Sequence, residues 1–122
     1  MSKKNIEKYI PEAMKVLEAT FREGEIPSAY NGYISSFGAS IIQSGLKPTL
    51  ALFENTNANS KEDKSYLPQI IFQILDKNAE GSSLLKYVLN NKRDEAYIKQ
   101  QILDIAVAVK LSIRTFKLKK GE

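Results

Sequence analysis

Apolar side chains recur every three or four positions along most of this chain, the spacing that places them on one face of an α-helix. The longest such segment, from Ile26 to Leu46, contains no Asp, Glu, Lys or Arg, although 26% of the chain is charged. Because charged side chains are seldom fully buried, an uncharged segment indicates burial. Pro27 and Ser28 suit a helix start, and Gly45 suits a left-handed stop. The pattern predicts a central core helix whose buried face carries Tyr30, Tyr33, Ile34, Phe37, Ile41 and Ser44.

The rest of that helix is lined with small residues, which would let a neighbouring backbone come close on a second side. They are Ser36, Gly38, Ala39 and Ser40. The polar positions also break the segment well short of the roughly 18 continuous apolar residues of a membrane span.

An earlier apolar stripe predicts the first helix, between Asn5 and Arg22. Its members are Ile6, Tyr9, Ile10, Ala13, Leu17 and Phe21. Because Pro11 lacks a backbone donor and crowds the preceding turn, we expect a kink there or a helix that starts near Tyr9–Ile10. The residues from Gly24 to Pro27 then predict a turn.

Three shorter helices are predicted in the middle of the chain. The first begins at Leu46, has Pro48 near its first position, and places Leu46, Leu50 and Phe53 on one side. A polar loop follows over residues 54–60, and Ser60 with Asp63 resembles a capping box for the next helix.

The second of these helices covers residues 66–75. Pro68 lies inside its pattern, so we expect a kink or a late start near Leu67. Ser82 or Ser83 can cap the third, short helix, which carries Leu84, Leu85, Val88 and Leu89.

The last and longest helix is predicted from Asp94, where Asp94 and Glu95 give an acidic start, to Leu118. Its main core stripe is Ile98, Ile102, Ile105, Val109, Ile113 and Phe116. A second apolar line lies nearly opposite and consists of Val107, Leu111 and Leu118. This line is either a contact with another subunit or is covered by another helix of the same chain, and the pattern leaves both open.

No segment shows strand alternation, no internal repeat is present, and there is no glycine-rich phosphate loop. The 122 residues therefore predict one all-α domain over residues 1–122, a single compact bundle of five or six helices.

The composition excludes several kinds of functional site. The chain has no cysteine and no histidine, which excludes disulfides, cysteine-based zinc sites and histidine-dependent catalysis. The acids that could serve an enzyme are Glu62, Asp63 and Asp76, and the first two diverge on a helix and are better explained as a helix start. We therefore expect no enzyme, no cofactor and no bound metal.

The N-terminus lacks the apolar core of a signal peptide, so we expect a cytoplasmic protein.

Positive charge is concentrated in the second half of the chain. The net charge is +4; residues 1–60 balance six basic against six acidic side chains, whereas residues 61–122 hold twelve against eight. On the predicted last helix, Lys99, Lys110, Arg114 and Lys117 fall within about 60° of one another. Together with Lys92 and Arg93 in the preceding turn they predict a contact with a polyanion, the alternative being a solvated tail. Tyr30 and Tyr33 could stack on bases, but their place on the core stripe favours burial.

The corner from Ile41 to Phe53 resembles the small helical subunit of the type III-B CRISPR RNA-guided effector, the Cmr complex. In that family a helix ends in a Gly-Leu corner a few residues before a small apolar helix. The matching residues are Gly45, Leu46, Leu50, Ala51 and Phe53. The basic, aromatic-containing end over residues 110–117 also matches, although the family often carries a tryptophan in that helix and this chain has none.

The resemblance implies a non-catalytic subunit in antiviral defence. Its expected partners are the other subunits of the effector, copies of itself stacked in a filament, and the backbone of guide and target RNA. The alternative is a helical protein-interaction adaptor without an RNA role, and salt-dependent RNA binding separates the two because the adaptor should show none.

Overall fold

A computed structural model describes residues 3–21, 24–54, 65–76, 83–90 and 94–119, with residues 117–119 described by their backbone alone. Over these ranges the chain forms six α-helices and two short strands. They are α1 (Lys3–Thr20), β1 (Glu25–Pro27), α2 (Ala29–Ser44), α3 (Leu46–Phe53), α4 (Tyr66–Leu75), α5 (Leu84–Asn90), α6 (Glu95–Ile113) and β2 (Lys117–Lys119). The predicted all-α class is confirmed.

The centre of the fold is α6, which packs against α1, α2 and α4. Its predicted stripe is buried from Ile98 to Ile113, and Phe116 packs half-buried against the same core. Ala108 and Ser112 are buried as well, so that α6 is enclosed on more than the stripe alone. The C-terminal helix, and not α2, is therefore the central helix of this fold.

The uncharged segment forms α2, a helix with one buried side. Tyr30, Ile34, Phe37 and Ile41 are buried as predicted, whereas Tyr33 is half-buried and Ser44 is exposed. The buried side faces α3 and α6, while much of the opposite side lies in solvent without carrying a charge. Burial accounts for only one side of the uncharged segment.

A hydrogen-bonded corner joins α2 to α3. Gly45 has φ +100° and ψ 164°, and its N–H donates to the carbonyl of Ile41 at 3.0 Å. The positive φ expected at this glycine is present, but its ψ lies outside the left-handed helical region, in a region that essentially only glycine occupies. Thr49 Oγ1 donates to the Gly45 carbonyl at 2.8 Å and is hydrogen-bonded to Ser40 Oγ at 2.7 Å, which holds the two helices together.

The two prolines inside helical patterns behave differently. Pro11 lies in the middle of α1, which begins at Lys3, so the expected start near Tyr9–Ile10 is wrong. Pro11 is exposed, and water can replace the missing backbone bond on that side. Pro68 lies in the first turn of α4, where a backbone donor would have no helical acceptor in any case, so the late start is confirmed.

Side chains cap the N-termini of α5 and α6. Asp94 accepts a hydrogen bond from the N–H of Ala96 at 3.0 Å, as its position predicts. Ser83 accepts from the N–H of Lys86 at 3.2 Å and donates to Glu54, whose second oxygen accepts from the N–H of Leu85 at 2.9 Å. The carboxylate at the end of α3 thus ties α3 to α5. The predicted capping box of Ser60 lies outside the described residues.

The last helix ends earlier than predicted, at Ile113 instead of Leu118. Thr115 and Phe116 donate their N–H groups to the carbonyls of Ser112 and Ile113, each at 3.0 Å, which tightens the chain into turns. Lys117–Lys119 then pairs in parallel with Glu25–Pro27, with Leu118 opposite Ile26. Strand alternation does not reveal these two segments in the sequence, because three residues are too few to show it and the pairing joins distant parts of the chain.

Candidate functional site

The outer side of α6 carries the basic residues that the sequence singles out. Lys99, Lys110 and Arg114 fall within about 60° around the helix. Lys99 and Lys110 are half-buried and Arg114 is exposed. The ion pair between Lys47 and Glu95, at 3.2 Å, involves none of these three cations, and no described carboxylate pairs with them.

The other residues of the predicted basic ridge have different positions. Lys117 lies in β2, beyond the end of α6, so the four-residue arc on one helix was wrong. Lys110 and the C-cap residue Arg114 are one turn apart, and Lys99 lies on the same side about three turns earlier. Lys92 and Arg93 lie outside the described residues.

The second apolar line is likewise divided by the end of the helix. Leu118 lies in β2 and does not extend the line along α6. Val107 is half-buried between α6 and α2, whereas Leu111 is 40% exposed. Another helix of the chain therefore covers part of Val107, and Leu111 is the member that is available to a second subunit.

A groove of about 400 Å³ runs between α2 and α6. One wall is formed by α2 through Ile34, Ser35, Gly38 and Ile42. The other wall is formed by α6 through Gln100, Leu103, Ala106, Val107 and Lys110. The basic side of α6 and this groove are thus adjoining parts of one surface.

The lining of the groove is mostly apolar, and each of its two uncharged polar side chains makes one hydrogen bond within the protein. Ser35 Oγ donates to the carbonyl of Asn31 in the same helix at 3.2 Å, and Gln100 Nε2 donates to Asp104 Oδ1 at 3.0 Å. Ile42 is 71% exposed. Lys110 is the one charged residue among those that line the groove. The groove therefore offers apolar contact along its length and a positive charge at its edge.

Sequence reasoning missed this groove because it depends on how α2 and α6 are placed side by side. A signal for it did exist: Ile42 is a large apolar residue that lies off the core stripe of α2. Asp104, a buried carboxylate within α6, was also missed. A charged residue normally predicts an exposed position, so hydrophobic periodicity gives no sign that Asp104 is buried.

The structure shows no carboxylate site, metal site or base-stacking site within the described residues. Glu62 and Asp63 lie outside the described residues, and Asp76 follows the last residue of α4. In the part of the chain that the structure describes, no group of acidic side chains could hold a metal ion. Tyr30 is buried and packs edge-to-face on Phe21 and Tyr33, so it belongs to the core and is not available for base stacking.

None of the helices within the described ranges has both the length and the apolar character that crossing a membrane requires.

Comparison with known proteins gives one finding. No curated protein and no solved structure matches the chain significantly. The model of the family described as CRISPR-associated protein (Cas_Cmr5) matches residues 5–111, from the first turn of α1 to the last turn of α6. This match covers most of the chain and confirms the resemblance drawn from the corner at Gly45. The chain therefore belongs to the Cas_Cmr5 family of CRISPR-associated proteins and is a small subunit of the type III-B effector, a membership that implies association with other subunits of the Cmr complex.

Proposed function

We propose that this protein is a non-catalytic spacer of the type III-B effector, in which copies stack in a filament and the basic side of α6 contacts the backbone of guide and target RNA. The observation that carries the proposal is the grouping of Lys99, Lys110 and Arg114 on one side of α6 without a described carboxylate partner. Lys92, Arg93 and Lys117 are further candidates from the sequence. The absence of histidine and cysteine from the chain supports a role without catalysis.

Basic side chains on a surface that follows the RNA backbone are sufficient for this contact. Lysine and arginine neutralise phosphates and release counterions, which gives affinity without reading the bases. In an RNA-guided complex the base sequence is read by pairing between guide and target, so the protein needs to recognise only the backbone. Binding should therefore be independent of RNA sequence and should weaken steeply as salt is added.

The test is the double variant Lys110→Glu, Arg114→Glu, with the affinity of the assembled complex for guide–target duplex measured over a range of salt concentrations. We expect weaker binding and a salt slope reduced by about 1.5 logarithmic units, from about 0.7–0.9 units for each phosphate that is no longer neutralised. The matched control is Lys8→Glu, Lys15→Glu, which makes the same change in net charge at two exposed positions of α1.

If Lys110→Glu, Arg114→Glu keeps the affinity and the salt slope of the wild type, the basic side of α6 is only solvated. If both double variants lose affinity by the same amount, the effect comes from net charge and not from a contact at α6.

A second candidate, an adaptor that binds only protein, is favoured by the groove between α2 and α6. Its lining offers apolar side chains and a single charge, which suits a protein segment better than a phosphate backbone. The same salt titration decides between the two functions. If the protein is an adaptor without an RNA role, neither double variant should change the affinity of the complex for guide–target duplex.

A further inference from the structure

We infer that the groove between α2 and α6 is a docking site for an α-helix of a different subunit of the effector. The docked helix would be apolar along the side that enters the groove and would carry Asp or Glu where it passes Lys110. Membership of a multi-subunit complex requires such contacts, whether or not α6 also contacts RNA.

The shape of the groove suits a helix. Both walls are helices, and their lining residues recur at helical spacing: Ser35, Gly38 and Ile42 on α2, with Gln100, Leu103 and Val107 on α6. Above Gly38 the space is open, because a Cβ atom built there would have no neighbour within 4 Å. A small residue at the floor of a groove allows close approach of a third helix, whose side chains at positions i, i+3, i+4 and i+7 can serve as anchors.

The charge of the groove defines the chemistry of the partner. The whole of α2 lacks Asp, Glu, Lys and Arg, so that wall contributes no charge. On α6 the charges beside the groove are those of Lys99, Lys110 and Arg114, all positive. Asp104 is buried and accepts a hydrogen bond from Gln100, so the cations are the charges on this side that a partner can contact directly. A partner with acidic side chains flanking its apolar row is therefore the complementary one.

A second copy of this chain does not supply such a helix. Within the described residues the exposed large apolar side chains are scattered, one on each of α2, α3, α4 and α5 and two on α6. The two on α6, Tyr97 and Leu111, are too far apart to form a row. On α5 the exposed Leu89 has Lys86 beside it, which would bring like charge towards Lys110. The described helices thus lack the acidic, apolar-faced segment that the groove requires.

An RNA strand fits the lining less well than a helix does. Ile42, Leu103 and Val107 offer no hydrogen-bond donors to phosphate, and one of the two N–H donors of the Gln100 amide already bonds Asp104. RNA contact remains the proposal for the cations on the outer side of α6, and the apolar lining of the groove is assigned to protein. Lys110 lies at the border of the two surfaces.

The test is a pair of matched glycine substitutions in α2. Gly38→Leu fills the groove, whereas Gly32→Leu makes the same change on a different side of the same helix; each glycine has open space where a side chain would begin. Both variants should remain folded and melt no lower than the wild type, because leucine favours the helix more than glycine does. We expect Gly38→Leu alone to reduce incorporation into a complex reconstituted from the remaining purified subunits, by roughly tenfold to a hundredfold.

Both substitutions leave every lysine and arginine in place, so the affinity of the isolated variants for guide–target duplex should stay at the wild-type level. Equal incorporation of the two variants would overturn the docking site. Loss of duplex binding by Gly38→Leu with normal incorporation would instead assign the groove to RNA.

A cross-linking measurement keeps the inference testable if Gly38→Leu fails to fold. Benzoylphenylalanine at the exposed position of Ile42 should, in the assembled complex, cross-link to a peptide of another subunit. That peptide should combine apolar residues at helical spacing with at least one Asp or Glu. A cross-link to RNA, a cross-link to another copy of this chain, or the absence of any cross-link would each contradict a docked helix.

Discussion

Replacing Phe37 with alanine should lower the free energy of unfolding by about 3–5 kcal/mol. Phe37 lies on the buried side of α2 and is 0% exposed. Its ring packs edge-to-face on Phe53 of α3, with centroids 5.2 Å apart and an interplanar angle of 86°. The substitution removes the ring from the corner that joins the two helices, and the surrounding helices cannot close the space completely.

The magnitude follows from the buried surface. An aromatic side chain buries about 150–250 Å² of surface, which corresponds to roughly 4–6 kcal/mol at about 25 cal/mol per Å². The alanine retains its Cβ, and extended-chain areas overstate burial, so the loss falls to about 3–5 kcal/mol. The edge-to-face pair should add a coupling of about 0.5–1.5 kcal/mol. In a double-mutant cycle with Phe53→Ala, the two losses should therefore be less than additive by that amount.

Urea unfolding followed by far-ultraviolet circular dichroism measures both quantities. The control is Tyr97→Ala, which removes an aromatic ring that is 63% exposed and should change stability by about 0.5 kcal/mol or less. If Phe37→Ala is unfolded without urea, Phe37→Leu should give a folded variant with a smaller loss. A loss below about 1 kcal/mol for Phe37→Ala would place this ring at the surface and refute the packing of α2 on α3.

Two further predictions concern the corner and the outer side of α6. Gly45→Ala should lower the free energy of unfolding by about 1–3 kcal/mol, because alanine is strained at φ +100°; its Cβ would meet Pro48 Cδ at an ordinary 3.6 Å, so a clash is not the cause. Gly38→Ala should instead raise stability by up to about 1 kcal/mol. Equal melting temperatures for the two variants would contradict the strain at Gly45. Leu111→Glu should leave the fold intact and weaken the stacking of copies in sedimentation of the assembled complex, whereas an unfolded variant would place Leu111 inside the domain.

Local signals in the sequence predict the helices and their starts well. The core residues of α6 recur with the helical period, and Asp94 is a typical N-cap residue whose side chain accepts a hydrogen bond from the N–H of Ala96. The end of α6 was not predictable in this way, since no glycine or proline lies between Ile113 and Lys117. What stops the helix is the pairing of β2 with β1, a contact between opposite ends of the chain, and periodicity carries no information about such pairing.

The same distinction applies to the candidate site. Lys99, Lys110 and Arg114 are on one helix, so their common side follows from the helical period alone. The groove requires the relative placement of α2 and α6, which only packing fixes. The central position of α6 was one of two alternatives left open by its second apolar line. What encloses the helix more widely is buried alanine and serine, which hydrophobic periodicity does not emphasise.

The absence of charge from α2 has two separate causes on its two sides. Towards the core, Phe37 and Ile41 leave no room for an ion, and an unpaired buried charge would be costly. Towards the groove, Ser35 and Ile42 are exposed in the isolated chain, so burial within this domain does not explain why no charge appears there. The docked helix proposed above would explain it, because a charge on that wall would lose its water when the partner binds and would have to be matched by the partner. Lys110 can be retained at the edge of the same groove because its long stem lies along apolar surface while its ammonium group reaches water or an acidic partner.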